Sequence, residues 1–232
     1  MVNTEIINYL SEIDTNVFLF FNGLHSPFWD YFMRTFTGRF IWVPMYATIL
    51  YILLKNFHWK AVVCYVAAIT LIITFADQMC SSIIRPAVAR LRPANLENPI
   101  VDMVYIVNGY RGGSYGFPSC HAANSFGLAI YVICTFRKRW LSIFIVAWAI
   151  LNCYTRIYLG VHYPGDLIVG GIIGGLGGWA FSAIAYRTAC YLERPSNIRR
   201  YDDIRQASVP IFAGLVTVLG IIIYAVASSG AA

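Results

Sequence analysis

Six stretches of this chain come close to the run of about 20 apolar residues that a helix needs to cross a hydrocarbon core. They cover residues 40–54, 61–84, 117–136, 141–160, 166–189 and 209–227. Inside a bilayer the backbone N–H and C=O groups have no water to bond, and helices satisfy them within one segment. The runs therefore predict an all-α polytopic membrane helix bundle of about six transmembrane helices. Composition agrees: charged residues make up 12% of the 232, about half of what soluble domains carry. A disordered chain, a coiled coil and an ordinary soluble enzyme are excluded. The net charge of +6 is spread between apolar runs and not gathered into a groove, so nucleic acid is not an expected partner.

The first 39 residues read differently from the rest. Ile6, Ile7, Leu10, Ile13, Val17 and Phe20 recur at helical spacing, with Glu5, Glu12 and Asp14 between them. That is the pattern of an amphipathic helix in the membrane interface. Phe28, Trp29, Tyr31 and Phe32 follow, suited to the headgroup level. A span here would bury two carboxylates. The short run at 17–21 has no basic leader, so a cleavable signal peptide is not expected. The six cysteines show no paired spacing and no neighbouring His cluster, which predicts neither a disulfide framework nor a zinc site. The chain then divides as one membrane domain: an interfacial segment 1–39, a helix bundle 40–189, a basic loop 190–208 and a last span 209–232.

Basic residues orient the bundle. Lys55, Lys60, Arg137, Lys138, Arg139, Arg187, Arg194, Arg199, Arg200 and Arg205 fall on one side, which marks it as cytoplasmic. Arg85, Arg90, Arg92, Arg111 and Arg156 sit on the other side against that rule. An anionic ligand there supplies the reason. The glycines between 170 and 178 fall inside a predicted span with small residues four apart, the pattern of close helix packing. No Lys-Ser/Thr follows them, so they are no phosphate loop.

Three polar segments at the same predicted face stand out from the apolar background: 85–93, 117–121 and 155–166. Ionisable residues at membrane depth are costly and functional by default. The guanidinium forks of Arg85, Arg92 and Arg156 match phosphate oxygens, and Ser119 with the helix-start N–H groups adds donors. Two histidines lie in the same segments, His121 and His162. Held phosphoryl chemistry needs a nucleophile on one side and a proton donor for the leaving oxygen on the other, and imidazole can serve as either. Asp166 follows His162 by four residues, within reach of Nδ1–H, which would leave Nε2 free to attack. Asp77, two turns before Arg85, reads as a structural residue hydrogen-bonded in the bundle or balancing a pocket arginine, with a proton relay as the alternative.

The order and spacing of Arg85 to Arg92-Pro93, then Pro118-Ser119-Cys120-His121, then Arg156, His162 and Asp166 resemble the three-part signature of type 2 phosphatidic acid phosphatases. The resemblance implies a phosphatase acting through a phosphohistidine without cofactor or metal. It implies His162 as nucleophile, Asp166 as its orienting partner and His121 as general acid. Phosphate would be held by Arg85, Arg92, Ser119, Cys120 and Arg156. The chain departs from the family pattern at Arg85, where Lys is usual, at Cys120, where Gly is usual, and at Thr155, where Ser is usual.

The leading expectation is an enzyme that takes a terminal phosphate from a membrane lipid at the outer face of a bacterial inner membrane. Undecaprenyl diphosphate, lipid A, phosphatidylglycerophosphate and phosphatidic acid are the candidate substrates. A haloperoxidase-like vanadate-binding oxidase shares the anion pocket but belongs to soluble proteins. A transporter or non-catalytic anion binder has no use for a positioned His–Asp pair opposite a second His. The expected partners are the lipid phosphate and the bilayer; oligomeric state is not legible. Tyr110 to Tyr115 reads either as a lid carrying Arg111 or as a plain loop.

Overall fold

The computed structural model describes residues 2–192 and 204–230, and within them the protein is a bundle of helices with no strand. Much of the basic loop expected at 190–208, including Arg194, Arg199 and Arg200, lies outside the described residues. In chain order the helices are α1 (Val2–Asn22), α2 (Pro27–Phe36), α3 (Val43–Asn56), α4 (Trp59–Asp77) and α5 (Arg85–Val88). They continue with α6 (Cys120–Phe136), α7 (Arg139–Tyr158), α8 (Pro164–Leu192) and α9 (Val209–Ser229).

Among the described residues, four helices are long and apolar enough to cross a membrane: 59–88, which joins α4 to α5, and α7, α8 and α9. α2 and the 40–56 segment form a fifth if counted together, bent by 70°. The bend follows from its sequence: Ser26 caps α2, Pro27 starts it, and Thr37 and Gly38 end it. A sixth apolar helix, α6, has 17 residues, about 26 Å of rise, and lies against α4, α7 and α8. Between Gln78 and Ile84 the long helix widens into a π turn, a distortion common at functional sites.

Why α6 and α8 lie so close is written in glycines. A Cβ at Gly170, Gly174 or Gly178 would fall on the backbone of Ser119, Ala123 or Gly127. No side chain separates the two helices along that seam, so they touch backbone to backbone. The main core sits beside it, around Trp42, Met45, Ile49, Tyr131, Leu141, Ile145 and Trp148.

At the end where α5 stops and α6 and α8 begin, residues 89–119 fold over the bundle. Ala89 ends α5 in a left-handed turn, and Arg92 N–H bonds Ser114 carbonyl while Gly116 N–H bonds Arg90 carbonyl. Asn22 knits α1 to this loop. Its amide donates to the carbonyls of Tyr105, Ile157 and Tyr158, two of them at the end of α7. α1 thus packs onto the polar end of the bundle, with Phe18 fully buried against Tyr163. One of the carboxylates that argued against burying it, Asp14, turns inward onto Arg90 and the Gly165 N–H. The six cysteines are free thiols.

Candidate active site

Three chain segments meet beneath the 89–119 loop. The loop itself brings Arg92, the start of α6 brings Ser119, Cys120 and His121, and the α7–α8 junction brings Arg156, His162 and Asp166. The π turn carries into Arg85, which joins them from the side. A cavity of about 960 Å³ opens here, with Arg85, Arg92, Cys120, His121, Arg156 and His162 on its wall.

His162 sits in the tight turn between α7 and α8, with only 2% of its surface exposed. Its Nδ1 lies 3.2 Å from Asp166 Oδ2, and its Nε2 lies 3.1 Å from Arg92 Nη1. A guanidinium only donates, so Nε2 is the acceptor and Nδ1 carries the hydrogen that Asp166 receives. That is the tautomer expected from the i, i+4 spacing. Burial, and then the charges of Arg92, Arg156 and Arg85, push the imidazole well below its ordinary value. His162 is therefore neutral at pH 7.

Asp166 is fully buried behind it. Its Oδ2 also accepts from Tyr163 N–H, and its Oδ1 accepts from Arg90 at 3.1 Å. Arg90 spans Asp166 and Asp14 and stacks 3.9 Å from the Tyr163 ring. Gly116 makes room for this group: a Cβ there would meet Asp166 Oδ2 at 2.9 Å and Arg92 at 3.2 Å. Any larger residue would spread the His–Asp pair.

The three arginines are gathered without a facing carboxylate for Arg85 or Arg156 among the described residues. Arg85 Nη2 bonds Pro118 carbonyl at 3.0 Å and Cys120 Sγ at 3.1 Å. Arg156 donates to Thr37 Oγ1 at 3.0 Å and to Tyr110 hydroxyl at 3.3 Å, and its Nε has no partner. Arg92 also donates to the carbonyls of Tyr115 and Val161. Burial, then Arg156 and Arg85, lower Arg92 to about 10. Such a cluster is held apart from neutrality until an anion enters it.

His121 faces this group from α6. Its Nε2 lies 3.0 Å from Asn152 Oδ1 and 3.4 Å from Thr37 Oγ1. The amide oxygen accepts, so Nε2 carries a hydrogen. Ser119 has a different position from its neighbours: it is fully buried, off the cavity wall, and its hydroxyl accepts from Ala122 N–H as the cap of α6. Cys120 Sγ is on the wall, 2.9 Å from Ser81 Oγ. Arg111 is pinned to Ala94 carbonyl, and His25 stacks on Tyr105 away from the pocket.

Asn152, Thr37 and Asp14 were not singled out as site residues by their sequence; Arg90 stood only among the arginines on the unexpected face and Tyr110 only in the segment read as a lid or a loop. Asn152 gave a signal, a carboxamide within an apolar run one turn before Arg156. Thr37 and Asp14 reach the site through the bend after α2 and the docking of α1, and Arg90 and Tyr110 through the fold of the 89–119 loop.

An arginine-lined anion pocket with a buried His–Asp pair and a second His, set at one end of a membrane helix bundle, defines a phosphoryl-handling membrane enzyme. The chain belongs to the PAP2 superfamily, whose profile matches residues 61–190. It is a membrane lipid phosphate phosphatase. It is 65% identical over 225 residues to a lipid A 4'-phosphatase of Bacteroides thetaiotaomicron, covering 97% of this chain and 100% of that one. A lipid A 4'-phosphatase of Porphyromonas gingivalis is 33% identical, with 86% of each chain covered. The crystal structure of Aquifex aeolicus LpxE shares the fold, with a TM-score of 0.51 at 24% identity, over 75% of this chain and 94% of that one.

Proposed function

We propose that this protein removes the 4'-phosphate of lipid A at the periplasmic face of a bacterial inner membrane, through a phosphohistidine on His162 and without a metal ion. The observation that carries the substrate is the 65% identity to a lipid A 4'-phosphatase along nearly the whole chain. The chain works as one unit: 1–39 lies at the interface and brings Thr37 and Asp14 to the site, 40–189 carries the phosphate-binding and catalytic residues, and 209–232 is the last span.

Phosphate oxygens occupy the forks of Arg85, Arg92 and Arg156, which compensate the charge that builds on the equatorial oxygens during transfer. Cys120 and the cap at Ser119 shape the floor. His162 Nε2 forms the N–P bond as the bond to the sugar oxygen breaks. Asp166 holds Nδ1–H and stabilises the positive charge that develops on the ring. His121, doubly protonated and held through Nε2–H by Asn152, gives its Nδ1 proton to the leaving oxygen and becomes neutral, then takes a proton at Nδ1 from the water that attacks phosphorus. The second bond cleavage returns His162 and releases inorganic phosphate. Asn152 and Thr37 hold the His121 ring for both steps.

The test is phosphate release from purified lipid A species, with mass spectrometry to locate the phosphate lost. Loss at the 4'-position, label trapped on the wild-type protein and none on His162→Ala is the expected result. Undiminished turnover by His162→Ala overturns the mechanism. Faster turnover of phosphatidic acid than of lipid A overturns the substrate.

A further inference from the structure

α4 is apolar from Ala61 through Ala76 and then places Asp77 and Gln78 inside the same long helix. A carboxylate at that depth is costly unless something there uses its charge or its lone pairs. No arginine or lysine pairs with Asp77 among the described residues. Its bond is to Asn124, whose Nδ2 lies 3.3 Å from Asp77 Oδ1. Asn124 is three residues into α6 from His121, and its Oδ1 is shut off from solvent with no partner. Both side chains line the cavity that holds the phosphate-binding arginines, along with Gln78.

Followed inward from the arginines, the cavity wall changes character twice. Arg85, Arg92 and Arg156 call for an anion. Asp77 and Asn124, about one helical turn deeper than the Ser81 and Cys120 that the Arg85 guanidinium touches, offer acceptor oxygens, among them the unpartnered Asn124 Oδ1. Beyond them Ile49, Leu53, Ile69 and Ile72 line an apolar stretch between α3 and α4. The wall therefore reads anion, then hydrogen-bond donor, then hydrocarbon. A polyprenyl phosphate begins its hydrocarbon directly after the bridging ester oxygen and would lay it on a carboxylate. A diacylglycerol phosphate presents ester oxygens there, acceptor against acceptor. Either leaves the shut-off Asn124 Oδ1 unpaired and covers the exposed Asp77 carboxylate on the cavity wall without giving it a donor, which is penalised more heavily than a matched pair is rewarded.

We propose that Asp77 and Asn124 form an accepting subsite for hydroxyl or amide N–H groups on the scaffold that carries the phosphate, and that this subsite selects a phosphorylated amino-sugar lipid over donor-free lipid phosphates. The proposal rests on the phosphatase reading and gives Asp77 a part in choosing the substrate.

The experiment measures kcat and KM for purified wild type, Asp77→Ala and Asn124→Ala on three lipids in the same mixed micelles. These are a 4'-phosphorylated amino-sugar lipid, phosphatidic acid and a polyprenyl diphosphate. Each variant should lose roughly 10- to 100-fold in kcat/KM on the amino-sugar lipid, carried by KM, with a loss at least about tenfold smaller on the other two. Asp77→Asn, which keeps one acceptor oxygen and the side-chain shape, should lose less on the same lipid and covers a folding failure of the alanine variant. Equal losses on all three lipids, or none on the amino-sugar lipid, overturn the subsite. A binding arm separates this from the mechanism. In a His162→Ala background, adding Asp77→Ala should weaken equilibrium binding of the amino-sugar lipid phosphate by a similar factor, and unchanged binding overturns the subsite. If wild type releases no phosphate from any lipid, the phosphatase reading has failed and the binding arm still decides the subsite.

Discussion

Substituting Gly174 by alanine tests whether the seam between α6 and α8 sets the catalytic distances. The new Cβ would lie on the Ala123 backbone, well inside the 3.0 Å that real Cβ contacts respect. Backbone cannot rotate aside as a side chain can, so the helices must part by roughly 1 Å at that level. Ala123 is two residues from His121, and α8 carries Asp166 behind His162, so the displacement enters the gap between the two histidines. A misplacement of about 1 Å costs on the order of 100-fold in rate, equivalent to about 2.7 kcal/mol of transition-state stabilisation. Gly175→Ala is the control, because its Cβ would meet only Ile130 Cγ1 at 3.7 Å. The assay is the initial rate of phosphate release by purified variants, with the thermal midpoint recorded alongside. Full activity in Gly174→Ala, or equal impairment in Gly175→Ala, refutes the reasoning.

The pH dependence follows from His162. In the proposed mechanism its neutral form is the reactive one, and its pKa is depressed, so the acid limb of kcat/KM should lie below the ordinary histidine value of about 6.5, once the substrate's own ionisation near pH 6 is corrected. The same depression makes the fold lose stability as pH falls below that value, since the unfolded chain takes up the proton first. An acid limb above 6.5 contradicts the buried geometry. His121→Ala should cost far more on a lipid alcohol leaving group than on p-nitrophenolate, measured as the ratio of turnover rates; equal losses remove the general-acid role. Asp166→Asn should lower kcat on the order of 1000-fold by disfavouring the attacking tautomer, read in single-turnover phosphate transfer; retention of activity denies that coupling. Activity should survive EDTA, because three guanidinium groups carry the charge compensation that a cation would otherwise supply; loss restored by Mg²⁺ would show a metal-dependent reaction.

Much of this arrangement was legible in the chain. Apolar runs of helical length announced a membrane bundle, and residues four apart in 170–178 announced the seam, because both depend on local sequence period. Arg85, Arg92, His121, Arg156 and His162 could be grouped because each stands at the end of an apolar run on the same predicted face. What was hidden depends on long-range approach. Thr37 reaches His121 and Arg156 only through the bend that ends α2. Asp14 looked like part of a solvated stripe until α1 was seen docked on Arg90. Ser119 read as a phosphate ligand and is a buried cap, since the same Pro-Ser before a helix serves both ends. Asp77 was read as a structural residue hydrogen-bonded in the bundle, and its bond to Asn124 fits that reading; the cavity that α4 and α6 leave beside it depends on long-range packing.

The contact between Arg92 Nη1 and His162 Nε2 has a consequence for idle chemistry. The lone pair proposed to attack phosphorus is already engaged when the pocket is empty, and a guanidinium covers it. A neutral electrophile gives the arginine no reason to turn away, whereas a phosphate dianion offers it a stronger acceptor than an imidazole nitrogen. The substrate's charge thus unmasks the atom that will react with it. Selection for anions then operates on reactivity as well as on binding, and the resting enzyme keeps its most reactive nitrogen sheathed.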